Sequence, residues 1–172
     1  MAIWTRAIRA IGIGVVAAVA LPAAVLAAPP VHTPAEDVVI VFAPGDICDD
    51  GIVLTNPGFK AHDTAFAPHP DGSVRFSDRG RTPSLATDTT TGKTLFRRGG
   101  SSIVITTAGD GSIVADATGL IFAWYLPGDD SELGAGLFLV NGHAQERYAP
   151  DGTFLSATFD GRATNVCEAL AG

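Results

Sequence analysis

The side chains best suited to chemistry in this sequence are two histidines and two aspartates close together, His62, Asp63, His69 and Asp71. Imidazole and carboxylate groups together can bind Zn²⁺ or another divalent ion, or act as a general base and its orienting partner. The context favours a solvated loop, because His69 lies between two prolines and Asp71 begins an Asp-Gly turn. His62, Asp63 and His69 are therefore only weak candidates for a metal site.

A second acidic group, Asp46, Asp49 and Asp50, offers the oxygen ligands that Ca²⁺ prefers. Its spacing matches no standard calcium loop, and Asp50 precedes Gly51 as in a turn. The sequence also lacks a G-x-S-x-G nucleophile motif, a P-loop and an H-E-x-x-H motif. No catalytic residue, resident metal or cofactor is predicted, and Asp129, Asp130 and Glu132 are interpreted as an exposed hairpin end.

Two further positions could contact a ligand. Arg97 and Arg98 are adjacent in an acidic chain, and strand alternation places them on opposite faces. An inward arginine would need a carboxylate or a ligand anion, although a solvated strand end is the simpler interpretation. Trp124 shares a face with Leu120 and Phe122, which predicts a core position. Lining of a ligand pocket is the weaker alternative for Trp124.

The elements that position these residues are predicted to be short strands joined by tight turns. Apolar residues follow a period of two, as in Val74 and Phe76 or Ile103 and Ile105. Turn dipeptides of the Asp-Gly or Asn-Gly type separate the apolar segments. They stand at 50–51, 71–72, 110–111, 141–142, 151–152 and 160–161.

Two segments, Leu120–Leu126 and Leu137–Val140, are apolar on both faces, as is typical of central strands. No long amphipathic helix is evident after the first 27 residues. The pattern predicts an all-β fold with about eight antiparallel strands, either a small barrel or a sandwich.

The N-terminus predicts export. Arg6 and Arg9 precede an apolar stretch, Ile11–Leu26, and cleavage is expected after Ala27 or, less favourably, after Ala28. A retained membrane anchor is the alternative, since this stretch is only slightly short of a membrane span. After cleavage we expect a Pro-rich linker over residues 28–36 and one β-domain over residues 37–172.

The chain has two cysteines, Cys48 and Cys167. In an oxidising compartment outside the cytoplasm, such a pair is expected to form a structural disulfide. Buried thiols and a reactive cysteine are the alternatives. No C-x-x-C motif is present, and no cationic side chain adjoins Cys167 in sequence to lower its pKa.

Charge and composition exclude several classes of protein. The 172 residues are 47% hydrophobic and 17% charged, with a mean hydropathy of +0.28, so a disordered acidic tail or coiled coil is not expected. Removal of residues 1–27 takes two of the 11 Lys and Arg but none of the 18 Asp and Glu, which leaves a net charge of −9. Such an acidic domain is not expected to bind nucleic acid, which attracts basic surfaces.

The latter part of the chain resembles a group of small exported bacterial β-domain proteins of unassigned function. The motifs that carry the resemblance lie at residues 89–93, Gly119, 151–152, 159–162 and 165–170. The resemblance implies a barrel-like domain whose last strand is tied by a disulfide, and it implies no catalytic residue. In architecture alone, a secreted eight-stranded barrel is also similar to dirigent and allene oxide cyclase barrels.

Two classes of function follow as hypotheses. The first is a non-enzymatic exported domain in the cell envelope or outside the cell, which binds either an envelope component or a small apolar molecule. Small residues such as Ala115, Ala117, Ala135 and Gly136 would leave room for such a molecule. The second is a barrel enzyme that uses the His62 and Asp63 region. No membrane span is expected after cleavage, and a homo-oligomer is compatible with either class.

Overall fold

The computed structural model describes residues 30–34, 39–56, 60–81 and 83–171. The predicted signal peptide lies outside these residues. Within them, no helix is both long and apolar enough to cross a membrane.

Two antiparallel sheets make up the described chain. The strands are β1 (Val31–Pro34), β2 (Val39–Phe42), β3 (Ile52–Thr55), β4 (Lys60–Ala65), β5 (Val74–Arg81), β6 (Ser84–Asp88), β7 (Thr94–Arg97), β8 (Gly100–Thr107), β9 (Ile113–Tyr125), β10 (Gly136–Tyr148) and β11 (Phe154–Asn165), followed by helix α1 (Val166–Ala171). One sheet has the order β1-β4-β5-β8-β9-β10-β11 and the other the order β2-β3-β6-β7. The all-β prediction is confirmed, and neither sheet closes into a barrel.

The structure differs from the predicted organisation in three details. Eleven strands are described rather than about eight, because four-residue strands such as β2 and β7 are too short to give a clear alternation. The Val31–Pro34 strand lies inside the predicted linker and pairs with β4. Helix α1 has only six residues, too few for a helical periodicity to stand out in the sequence.

Three of the predicted turns are built alike. Gly72, Gly111 and Gly152 have φ values of 82°, 89° and 83°, in the left-handed region that glycine enters without steric cost. In each turn the preceding aspartate accepts a hydrogen bond from the backbone N–H two residues later. Each of these turns has the sequence Asp-Gly-Ser or Asp-Gly-Thr, and the three therefore share one kind of hairpin turn.

The Asn141-Gly142 and Asp160-Gly161 dipeptides are not turns, so that prediction was wrong. Both lie inside long strands, and Gly142 is the cross-strand partner of Gly161. Gly142 also pairs with Gly119, and the same cross-strand row continues from Gly119 through Ser101 to Gly80. We call these four glycines the glycine row. At each of them a Cβ would overlap backbone atoms of a neighbouring strand, so glycine permits a close approach of main chains that other residues would block.

The large sheet bends sharply. Tyr148 and Phe154 lie in the same cross-strand row as Ile113, at the start of β9. Tyr125 is the last residue of β9, roughly 40 Å from Ile113 if the strand were straight. The rings of Tyr125 and Phe154 nevertheless lie 5.9 Å apart. The sheet therefore folds over, with the glycine row between the two halves, and brings the ends of its long strands together.

Two hydrophobic clusters result from this folding. Core cluster 1 lies inside the folded large sheet and comprises Ile103, Ala115, Ala117, Ile121, Ala123, Tyr125, Phe138, Val140, Ala144 and Ala157. Core cluster 2 lies between the large and small sheets and comprises Phe42, Cys48, Ile52, Leu54, Ala86, Trp124, Leu137, Leu139, Val166 and Leu170. Because β9 and β10 contribute to both clusters, their apolar character on two faces is explained.

The predicted Cys48–Cys167 disulfide is confirmed, with the two sulfurs at bonding distance. Cys48 follows β2, and Cys167 lies in the first turn of α1. Val166 and Leu170 of this helix are buried in core cluster 2. The bond therefore joins the C-terminal helix to the small sheet.

The close approach at Gly119 gives a testable expectation. Gly119→Ala will lower the free energy of unfolding by several kcal/mol, because an alanine would be strained at φ 96° and its Cβ would overlap the Gly100 carbonyl oxygen. Gly128→Ala is the control, since Gly128 has φ 94° but no heavy atom near the added Cβ, and only the backbone strain of about 1 kcal/mol should remain. Urea unfolding of both variants measures the difference, and equal losses would show that the close approach is unimportant.

Candidate functional site

The structure separates the histidines and aspartates that the sequence places close together. His62 is exposed on β4, and Asp63, the next residue of that strand, points to the opposite face. His69 is exposed in the following loop, where its backbone bonds to Ser73 and Gly72 close the turn. No three His, Cys, Asp or Glu side chains of the described residues are grouped so that they could hold a metal ion.

Asp63 instead faces another aspartate. Asp63 is the direct cross-strand partner of Asp78 on β5, and one carboxylate oxygen of Asp78 is buried without a hydrogen-bond partner. Burial, with the charge of Asp63 as a second cause, raises the pKa of Asp78 to about 6. Burial also raises the pKa of Asp63. Like charges opposite each other destabilise a strand pair, so this pair is a cost to the fold above pH 6.

Two of the acidic residues that the sequence suggested as Ca²⁺ ligands, Asp46 and Asp49, have defined places in the structure. Asp46 accepts a hydrogen bond from the backbone of Ala43. Asp46 and Asp49 line an open depression of about 150 Å³, together with Pro127 and the small residues Ala135 and Gly136.

The loop that joins β9 to β10, residues 126–135, crosses the edge of β11, and we call it the strap. The backbone carbonyl of Asp130 accepts a hydrogen bond from the N–H of Ala157, and the backbone N–H of Glu132 donates to the Ala157 carbonyl. The Glu132 carboxylate accepts the N–H of Phe159 at 2.7 Å. Asp129 accepts the N–H of Leu126. The prediction of a merely exposed hairpin end here was therefore incomplete, since the Glu132 carboxylate and two backbone hydrogen bonds attach the strap to β11.

The basic and aromatic candidates also have defined places. Arg97 and Arg98 are both exposed, and the Arg98 guanidinium lies 5.7 Å from the centre of the Phe96 ring. Neither arginine points into the interior. Trp124 is 4% exposed in core cluster 2, with its ring edge against Phe42, as the alternation predicts.

A buried carboxyl group lies where the ends of the folded sheet meet. Glu146 is 1% exposed. Its Oε2 accepts a hydrogen bond from the Tyr148 hydroxyl at 2.5 Å, whereas its Oε1 has no hydrogen-bond partner. Burial raises the pKa of Glu146 to about 7, although the hydroxyls of Tyr148 and Tyr125 partly stabilise the charged form. Burial likewise raises the pKa of both tyrosines well above their ordinary value.

Sequence reasoning missed this carboxyl group, yet a signal for it was present. In the segment 144–148, Ala144, Glu146 and Tyr148 alternate with polar residues, so strand periodicity places Glu146 on the apolar face. What the sequence could not give is the folding of the sheet that brings Tyr125 from the far end of β9 to the same place.

One face of the small sheet consists of uncharged residues, with the Arg98 guanidinium over the Phe96 ring at its edge. Its inner residues, among them Ile52 and Leu54, pack in core cluster 2. Alternation places the other residues of these strands on the opposite side, which we call the outer face. It consists of the cross-strand rows Val39–Thr55–Leu85–Phe96 and Val41–Val53–Thr87–Thr94. None of these eight residues belongs to either core cluster.

The apolar side chains of the outer face are open to solvent at both edges of the sheet. Val39 is 64% exposed, Val41 67% and Phe96 40%. Four strands of four residues cover on the order of 300 Å². Five of the eight residues are apolar and three are threonines, so the apolar part of the face is at or below the low end of the largest patches on typical monomers, which are often functional.

Comparison with known proteins found no counterpart: no protein-family model, curated protein or solved structure matches this chain. The resemblance to small exported β-domain proteins therefore stays a prediction.

Proposed function

We propose that this chain is an exported, non-enzymatic interaction module that docks through the outer face of its small sheet. The observation that carries the proposal is a set of eight uncharged side chains, all outside both cores, in a chain with 18 acidic and 11 basic residues. Acidic and polar side chains keep most surfaces of such a protein solvated. A charge-free patch costs solubility, and its presence favours a surface that is covered in use.

The extracytoplasmic location belongs to the same proposal. Arg6, Arg9 and the apolar stretch Ile11–Leu26 are typical of a signal peptide. The Cys48–Cys167 bond is consistent with an oxidising compartment. A partner should therefore be an envelope component or another exported protein.

The alternative of a small apolar ligand has less support. Two of the four small residues expected to leave room, Ala115 and Ala117, are buried in core cluster 1. The other two, Ala135 and Gly136, line the open depression of about 150 Å³, which is smaller than the roughly 300 Å³ of an ordinary ligand pocket. Close to the two alanines of core cluster 1, the rings of Tyr125, Phe138 and Phe154 pack against one another, with centroids 5.9 to 6.4 Å apart. Aromatic side chains thus take up the space that a ligand would need.

Native mass spectrometry of the protein exported from its own host tests this proposal. We expect the wild type to retain a protein partner on the outer face. Phe96→Lys should lose most of it, since a desolvated cation would face the partner. Leu155→Lys is the matched control, because Leu155 is a 52% exposed apolar residue on the other sheet and its replacement should leave the partner bound.

Two outcomes would overturn the proposal. A retained small molecule in place of a protein partner would favour the ligand-binding alternative and would supply its mass. A bare monomer for the wild type and both variants would show that the outer face is not a docking surface.

A further inference from the structure

The four sheet edges in the described part of the chain are protected to different degrees. β1 ends in Pro34, and the free edge of β11 is bonded to the strap. β7 carries Arg97, is followed by Arg98, and lies next to α1. Prolines, charges and covering segments are the usual devices that prevent an edge strand from pairing with another chain.

Among the residues that the structure describes, β2 has none of these devices. Its sequence is Val39-Ile40-Val41-Phe42, without charge, proline or register shift, and it pairs only with β3. Its outward residues, Val39 and Val41, are the most exposed large hydrophobic side chains of the small sheet. An edge of this kind presents unpaired backbone donors and acceptors beside an apolar surface.

We propose that β2 pairs antiparallel with β2 of a second copy, which joins two small sheets into one eight-stranded sheet. This inference goes beyond the proposed function, because the pairing uses the edge of the small sheet and leaves the outer face open to a partner. A two-fold axis perpendicular to the sheet would keep inner residues with inner residues and outer residues with outer residues. The uncharged outer faces of the two copies would then form one continuous surface of twice the area.

The residues of β2 are compatible with antiparallel pairing to an identical strand. With Val41 opposite Val41 of the second copy, Ile40 would lie opposite Phe42 on the inner side, and core cluster 2 would continue across the axis. With Ile40 opposite Ile40, Val39 would lie opposite Val41. Both registers place β-branched or aromatic residues in direct cross-strand pairs, which stabilise antiparallel sheets.

Charge does not block a second copy at this edge, because β2 itself has no charged side chain. The two acidic domains as wholes repel each other, which weakens the pairing at low ionic strength. The contact is small, because four-residue strands bury less than the area of a standard stable interface. We therefore expect a concentration-dependent dimer rather than a permanent one.

Sedimentation equilibrium of the exported protein over a range of concentrations tests this pairing. The wild type should pass from monomer to dimer, and Val41→Lys should weaken the dimer by on the order of tenfold or more, because the lysine would face either its symmetry mate or the apolar Val39 of the second copy. Val31→Lys is the matched control: Val31 is also an exposed edge-strand valine, 60% exposed against 67% for Val41, but lies on β1 of the other sheet. This control should dimerise like the wild type.

The salt dependence of association distinguishes a dimer of this chain from a complex with a basic partner. Raising the ionic strength from about 0.05 to about 0.5 M screens like charges, so the dimer should tighten, whereas binding of a basic partner would weaken. A wild type that stays monomeric at every concentration, or a dimer that Val41→Lys leaves intact, overturns the β2 pairing. If a different protein is still lost on Phe96→Lys, the proposed function stands without the self-pairing.

Discussion

Removal of the Cys48–Cys167 disulfide will lower the free energy of unfolding by up to about 4 to 5 kcal/mol. The two cysteines are 119 residues apart in sequence, and the chain-entropy model assigns about 4.7 kcal/mol to a closed loop of 100 residues. Without the bond, α1 would be held by the packing of Val166 and Leu170 in core cluster 2 and by the hydrogen bond that Lys93 Nζ donates to the Ala171 carbonyl. Urea unfolding of the oxidised wild type and of the Cys48→Ala/Cys167→Ala variant measures this difference.

The reduced wild type is the control for this experiment. It keeps both sulfur atoms, including Cys48 at 8% exposure in core cluster 2, and lacks only the covalent bond. We expect most of the loss on reduction and a smaller further loss on replacement by alanine, which removes buried atoms. Equal unfolding midpoints before and after reduction would mean that the disulfide adds no stability beyond that of the packing.

Local chemistry explains why part of this fold could be predicted. The turn at Asp71-Gly72 follows from side-chain bonding and positive φ within a few residues, and alternation places Ala115 and Ala117 in the interior. Asn141-Gly142 carries the same local signal and lies in a strand, because Gly142 is needed where two main chains approach closely. A dipeptide cannot distinguish these two uses of glycine, since the deciding contact is with Gly161 on another strand.

Non-local pairing explains what could not be predicted. Whether the strands close into a barrel or divide into two sheets depends on partners far apart in sequence, such as β4 between β1 and β5. The outer face also required this information: Val39 and Phe96 come to lie in one row, at opposite edges of the small sheet, only through β3 and β6. Histidine and aspartate spacing at residues 62–71 suggested a site, but adjacent strand residues point to opposite faces.

Glu146 will make the protein less stable as the pH rises from about 4.5 to about 7. Its pKa is about 7 in the folded chain and 4.5 as its ordinary value, so the folded state binds the proton more tightly than the unfolded state. The stability that the protonated Glu146 contributes is therefore greatest below pH 4.5. This contribution falls as the pH rises to the folded pKa and is constant above it. The shift corresponds to about 3 kcal/mol, and Asp78 acts in the same direction with its folded pKa of about 6.

Glu146→Gln isolates this effect, because an amide keeps an acceptor for the Tyr148 hydroxyl and does not ionise. The groups that face Glu146 are Tyr148 on its own strand, Tyr125 on β9 and Asp129 in the strap, whose charge disfavours ionisation of Glu146. Urea midpoints at pH 4.5 and about pH 8 should differ strongly for the wild type and much less for Glu146→Gln, which should be the more stable protein at about pH 8. Asp78→Asn should remove only the smaller part of the slope.

The aspartates of the Asp-Gly turns do not obscure this result. Backbone hydrogen bonds lower the pKa of Asp71, Asp110 and Asp151 below 3.8, so their contribution is lost only as the pH falls below that range. The two effects thus occupy separate pH windows and have opposite signs, which predicts a stability maximum near pH 4 to 4.5. A wild type with flat stability between pH 4.5 and about pH 8, or a Glu146→Gln variant with an unchanged slope, would show that the folded sheet accommodates a charged Glu146 after all.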